Sequence, residues 1–158
     1  MVFLTIHGAA YGDDFWDGGS TAPWDTTAGL EADGGLSIVG FNTQKGWWSV
    51  DDASPTDPIL AVTAFVKWRG KRAGAGNQLS FDYSVDNTRV GELLVDMTWN
   101  NTAGADVWQT DFLVLVPTGG WNDFKLDALR AAFRNTSGPG GGAEVDVDHV
   151  YFEVQYLT

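Results

Sequence analysis

Short runs in which apolar and polar residues alternate recur along this chain, separated by stretches rich in glycine, aspartate and asparagine. Alternation with period two is the mark of a strand with one face on a core. Gln78 to Val85 shows it cleanly, with Leu79, Phe81, Tyr83 and Val85 inward and Gln78, Ser80, Asp82 and Ser84 outward on a wet face. Ile59 to Arg69 predicts a long strand with Leu60, Val62, Ala64, Val66 and Trp68 on one side. Val90 to Trp99 follows with Leu93, Val95, Met97 and Trp99, and Asp106 to Val116 with Trp108, Phe112, Val114 and Val116. Shorter strands are expected at the start, over Met1 to His7, and at Leu36 to Phe41 and Gly46 to Val50.

The final strand carries a further signal. Val145 and Val147 are apolar at odd positions, whereas Val150, Phe152, Val154 and Tyr156 are apolar at even ones. Keeping both sets on one face requires an extra residue, so a β-bulge is expected near Asp148-His149. Upstream, Asn122 to Ala128 reads as a short helical turn capped by Asn122 or Asp123, and Leu129 to Asn135 as a strand. The glycine loop Ser137 to Gly142 would then close a hairpin between that strand and the last one.

About nine strands and one helical turn predict an all-β fold, an antiparallel β-sandwich of jelly-roll type. Twenty glycines and five prolines agree with that class. Residues 1–158 read as a single β-sandwich domain, with 8–35 as a long loop or arm of turn chemistry without period. No apolar run is long enough to cross a bilayer, and Met1 to His7 lacks the basic region and apolar length of a signal peptide, so neither membrane insertion nor export is expected. The net charge of -12 disfavours nucleic acid as a partner. The one basic cluster, Lys67, Arg69, Lys71 and Arg72, reads as a charged strand end and loop, with docking to an acidic neighbour as the alternative.

One part of the chain resembles a known module. The run Pro117-Thr118-Gly119-Gly120-Trp121, then Leu126 to Asn135, then Val145-x-Val147-x-x-Val150-Tyr151-Phe152-Glu153-Val154-x-Tyr156 resembles the end of a β-sandwich module of tailed-bacteriophage virion structural proteins. Ile59 to Val62 leading to Lys67 through Gly74 is similar to an earlier strand and loop of that module. The likeness spans Pro58 to Leu157 and leaves out the arm. It implies a non-enzymatic virion component, a capsid decoration or cement protein or a tail or fibre module, made in the host cytoplasm and assembled as a homo-oligomer against capsid or tail proteins. Trp121 and Tyr156 match its aromatic positions, and no functional residue is carried over.

Catalytic chemistry has little to work with. Zero cysteines remove thiol nucleophiles and thiolate metal sites, His7 and His149 both sit in strands, and no serine stands in a Gly-x-Ser-x-Gly turn. Asp82, Glu92, Asp96 and Asp111 could supply a glycosidase pair, but so acidic a chain makes chance pairs inevitable. No enzyme activity is expected. No cofactor is expected either, with calcium the one cation to consider. Asp13, Asp14 and Asp17 fail the EF-hand pattern, since Phe15 takes the third position and Trp24 the twelfth. Asp51, Asp52 and Asp57, or Asp146 and Asp148, read first as solvated acids.

Eight tryptophans remain. Trp68, Trp99, Trp108 and Trp121 fall in register with apolar faces or at the closing turn and read as packing. Trp16, Trp24, Trp47 and Trp48 do not, and the adjacent pair must point to opposite sides of a strand. These four are the candidate contacts with a partner or a glycan. The alternative to the virion role is therefore a carbohydrate-binding module or receptor-binding adhesin that stacks host glycan on exposed tryptophans.

Overall fold

Strand β9 (Val145–Tyr156) organises one of the two sheets of an antiparallel jelly-roll sandwich. The computed structural model describes residues 2–7, 36–38, 46–49, 58–71, 77–86, 91–93, 97–136 and 145–157. For Val2, Ile6, His7, 36–38 and 46–49 it describes the backbone and its pairing. One edge of β9 carries β1 (Val2–His7) and β2 (Leu36–Ile38). The other carries β4 (Ile59–Gly70), which pairs onward with β7 (Gln109–Leu115). The second sheet has the order β3 (Gly46–Ser49), β8 (Arg130–Asn135), β5 (Gln78–Ser84) and β6 (Met97–Asn100). Helix α1 (Asp123–Asp127) begins at Asn122, whose Oδ1 accepts from Lys125 N at 2.9 Å. Nine strands and one short helix are thus present among the described residues.

The core lies between the sheets. Val62, Ala64, Val66 and Trp68 of β4 and Val145, Val147, Val150, Phe152 and Val154 of β9 line one side. Leu79, Phe81 and Tyr83 of β5 and Ala131 and Phe133 of β8 line the other. The expected bulge is present: Lys67 pairs with His149 but Trp68 pairs with Val147, so Asp148 is the extra residue. It lets both valine sets of β9 face one core although their parities differ.

Four expectations are corrected. The strands flanking the glycine loop form no hairpin: β8 pairs with β3 and β5, while β9 pairs with β1, β2 and β4. Both edges of each strand are taken, so the connection passes from one sheet to the other. Leu60 is exposed instead of buried, because a register shift between Ile59 and Ala61 turns it out of the core face. The polar side of β5 is not wet: Ser80, Asp82 and Ser84 are all buried. Residues 91–93 fold back on it, with Glu92 N donating to Tyr83 O at 2.8 Å and Leu93 N to Asp82 Oδ1 at 3.3 Å.

The fourth correction matters most for function. Trp108, Phe112, Val114 and Val116 were expected on the core face of their strand, yet Phe112, Val114 and Val116 are exposed and Leu115 is buried. Residues 112–116 are apolar without a break, so alternation cannot choose a face for them. Pairing does: Leu115 stands opposite Val62, Leu113 opposite Ala64 and Asp111 opposite Val66, and directly opposed residues share a face. Of the Val90 to Trp99 expectation, β6 retains Met97–Asn100; Trp99 packs on Phe81, and Met97 at the edge is exposed. Positions 39–41, 87–90 and 94–96 lie outside the described residues.

Candidate functional site

Because β7 turns Phe112 and Val114 outward, the outer face of the five-stranded sheet carries a row of rings across three strands. Phe112 of β7 stands opposite Phe65 of β4, and Phe65 opposite Tyr151 of β9. The Phe65 and Tyr151 rings stack at 4.9 Å with planes 7° apart, and Phe65 and Phe112 lie 6.0 Å apart at 33°. Rings so stacked stand on edge and shield each other, which leaves the end ring open: Phe112 is 64% exposed. His149 extends the cluster along β9, its ring 5.2 Å from Tyr151. His7 takes the neighbouring register position on β1.

Polar groups flank this row on one side. The next rung runs Val114, Thr63, Glu153, Thr5, and the one beyond it places Gln155 between Ala61 and Phe3. Phe3 is a second open ring, 62% exposed. From β7 to β1 the face is three strand spacings wide, or about 14 Å. It is an apolar platform edged with hydroxyl, amide and carboxylate groups.

On the other side lies a charged cluster. Asp146 and Asp148 are buried, and each carboxylate meets a cation: Lys67 Nζ is 2.6 Å from Asp148, Arg69 Nε 2.7 Å from Asp146 and Lys71 Nζ 2.8 Å from Asp146. Lys71 also approaches Asp106 at 3.6 Å. Trp108, expected in the core, instead supports this cluster, with Arg69 Cζ 4.5 Å and Lys67 Nζ 5.4 Å from its ring centroid. Lys67, Arg69 and Lys71 of the basic cluster thus form a structural strand end, and Arg72 lies outside the described residues. Asp146 and Asp148, named as calcium candidates, spend their charge on these ion pairs.

This cluster and the core together predict sensitivity to base. Burial pushes the Tyr83 phenol above its usual value of 10.0, outweighing the Val116 N–H that it accepts. The hydrogen bond to Asp146 holds the Lys71 ammonium above its usual 10.5, against the opposing cost of burial. Both groups hold their protons more tightly when folded, so their contribution is complete below the unfolded values and is lost as pH rises through the folded ones. Urea midpoints should be flat around pH 8 and fall above about pH 10. Tyr83→Phe should flatten part of that fall.

Of the carboxylates considered for catalysis, Asp82, Asp111 and Glu92 have structural partners, and Asp96 lies outside the described residues. Asp82 Oδ1 accepts from Tyr83 N at 2.7 Å and from Leu93 N, and Asp111 Oδ2 accepts from Trp68 Nε1 and Gln109 Nε2, both at 2.7 Å. Glu92 accepts weakly from Thr118. Among the described residues no three histidine or acidic side chains gather as a metal site would require.

Of the four candidate tryptophans, the described backbone places two. Trp48 pairs with Ala131, a core residue, and Trp47 with Ala132, whose rung also carries Asp82. The register thus assigns the outer side of that sheet to position 47. Ala132 and Asp82 are themselves buried, unlike the open platform on the opposite sheet. Trp16 and Trp24, with the arm at 8–35, Asp13, Asp14 and Asp17, lie outside the described residues, as do Asp51, Asp52, Asp57, Arg72 and Asp96. The rings of Phe65, Phe112 and Tyr151 were not singled out from sequence, although one signal was there. Phe65 and Tyr151 stand in the polar phase of their strands, between Thr63 and Lys67 and between His149 and Glu153. Aromatic residues at positions reserved for solvent mark a face that does more than stay wet.

No family model matches the sequence, and no curated protein matches it. Among solved structures the chain is similar to a xylan-binding module, CBM15, at 14% identity and a TM-score of 0.55, covering 98% of this chain and 99% of that one. It is also similar to the K3 cleaved adhesin domain of Lys-gingipain from Porphyromonas gingivalis, at 11% identity and a TM-score of 0.51, covering 96% and 99%. The K1 adhesin domain of the same protein matches at 12% identity and a TM-score of 0.50, over the full length of both chains. At such identities the likeness is one of fold, and it agrees with the jelly-roll sandwich described above.

Proposed function

We propose that this domain is a carbohydrate-binding module or adhesin without catalytic activity, which holds a glycan on the outer face of its five-stranded sheet. The observation that carries this reading is the row Phe112, Phe65, Tyr151 on a solvent-facing sheet surface, with Phe112 open at its end. Sugar rings present C–H groups on their faces and hydroxyls on their rims. An aromatic face receives the former, and Thr63, Glu153, Gln155 and Thr5 offer hydrogen-bonding groups to the latter. The likeness to a xylan-binding module and to adhesin domains supports this reading over the virion role that the sequence resemblance implies. On this reading the stacking site lies on the sheet opposite the one that carries positions 47 and 48.

The test is affinity electrophoresis and calorimetry against a panel of neutral polysaccharides that includes xylan. The wild type should bind at least one, and Phe112→Ala should weaken that binding by about tenfold, which corresponds to about 1.4 kcal/mol. Because Phe112 is exposed, its loss should leave the fold intact, and circular dichroism checks this. A flat panel defeats the proposal. So does a Phe112→Ala protein that keeps its glycan affinity but changes its mass by light scattering, since the platform would then be a contact between copies.

A further inference from the structure

Resting on the glycan-binding reading, we infer that Glu153 sets the class of glycan the platform accepts: neutral chains are taken, and chains bearing carboxylate or sulfate near the stacked sugar are turned away. Glu153 sits in the rung next to the aromatic row, half-buried between Thr63 and Thr5, with Tyr151 and Gln155 on either side along the strand. Among the described residues no cation stands against it. The cations on the same face lie beyond the rings and are held elsewhere, Lys67 by Asp148 and Arg69 by Asp146.

Distances decide what this charge does. From the Glu153 rung to the Lys67 and His149 rung is four residues of strand, about 14 Å, which exceeds the screening length of about 8 Å at physiological ionic strength. Lys67, held at Asp148 on the far side of the rings, therefore does little to offset Glu153. A glycan stacked on Phe112 runs across the row, and its unit over Tyr151 lies one rung from Glu153, about 7 Å, within that length. An anionic substituent there meets a like charge that no cation among the described residues offsets, on a chain whose net charge is already -12. A neutral sugar meets an acceptor with two oxygens, suited to a pair of adjacent hydroxyls, and hydrogen bonds to a charged acceptor are the stronger kind.

The experiment compares the tightest-bound neutral oligosaccharide of the panel with the same chain bearing glucuronate, by calorimetry at low and at high salt. Wild type should prefer the neutral chain by about tenfold at low salt, with the preference narrowing as salt is added. Glu153→Gln keeps the size and one acceptor oxygen but removes the charge. It should cut the preference to under about threefold, mainly by improving the acidic ligand. Equal wild-type affinities for the two chains would overturn the inference. So would a Glu153→Gln protein with an unchanged ratio while Phe112→Ala weakens both ligands; in that case stacking stands and Glu153 selects nothing. If the wild type binds no glycan at all, the underlying reading fails and this one with it.

Discussion

Trp68→Ala should lower the stability of this domain by about 3–5 kcal/mol, a large share of the 5–15 kcal/mol that holds such a fold together. Trp68 is fully buried on the inner face of β4, and its removal leaves a cavity that the flanking Val66 and the facing sheet cannot fill. It also strips Asp111 Oδ2 of the indole N–H that it accepts at 2.7 Å. Trp68→Phe separates the two contributions. It keeps most of the packing and loses the hydrogen bond, so its cost should be smaller, about 1–3 kcal/mol. Urea unfolding followed by the remaining tryptophan fluorescence measures both. A Trp68→Ala cost under about 1 kcal/mol would mean that the inner face of β4 has been misassigned, and the outer row of rings with it.

Gly91→Ala carries the second large effect, about 3 kcal/mol of destabilisation, although it adds one methyl group. A Cβ at this position would lie 1.6 Å from Asp82 Oδ2 and 2.4 Å from its Cγ. The carboxylate cannot swing aside freely, because it is buried and holds the N–H groups of Tyr83 and Leu93. Asp82→Ala alone should cost about 1–3 kcal/mol by orphaning those donors. It also makes room for the methyl group, so the double variant should be more stable than the sum of the two losses predicts, by about 1 kcal/mol or more. Additive losses would show that residues 91–93 do not press on β5 as described.

Both sites explain why part of the fold is legible in sequence and part is not. The period-two runs of β4, β5 and β9 are backbone consequences of local sequence, since a strand needs an apolar face wherever its partners are. The parity change within β9 demanded a bulge for the same reason, and Asp148 provides it. Asn122 could be read as a cap because capping is decided within one helical turn. By contrast, the burial of Ser80, Asp82 and Ser84 depends on what lies over the sheet, and no periodicity within β5 encodes residues 91–93.

The platform shows the same division. Phe65 and Tyr151 are visible in sequence as aromatics out of phase with their strands, but their assembly with Phe112 is not. Phe65, Phe112 and Tyr151 come from three strands distant in sequence, and they meet only because β4 lies between β7 and β9 in the sheet. Tryptophan content points to Trp16, Trp24, Trp47 and Trp48, whereas the open rings on the described face of the five-stranded sheet are Phe112 and Phe3.

What the sequence determined by itself is the strand content, the sandwich class, the helical cap and the bulge, all of which follow from side-chain alternation and short-range hydrogen bonding. What only the tertiary structure decided is which strands are neighbours, and therefore which face of the unbroken apolar run 112–116 meets the core. Where both faces of a strand are apolar, local pattern is silent, and the pairing of Leu115 with Val62 makes the choice. That one register turns Phe112 toward solvent beside Phe65, and with it creates the surface on which a glycan is proposed to lie.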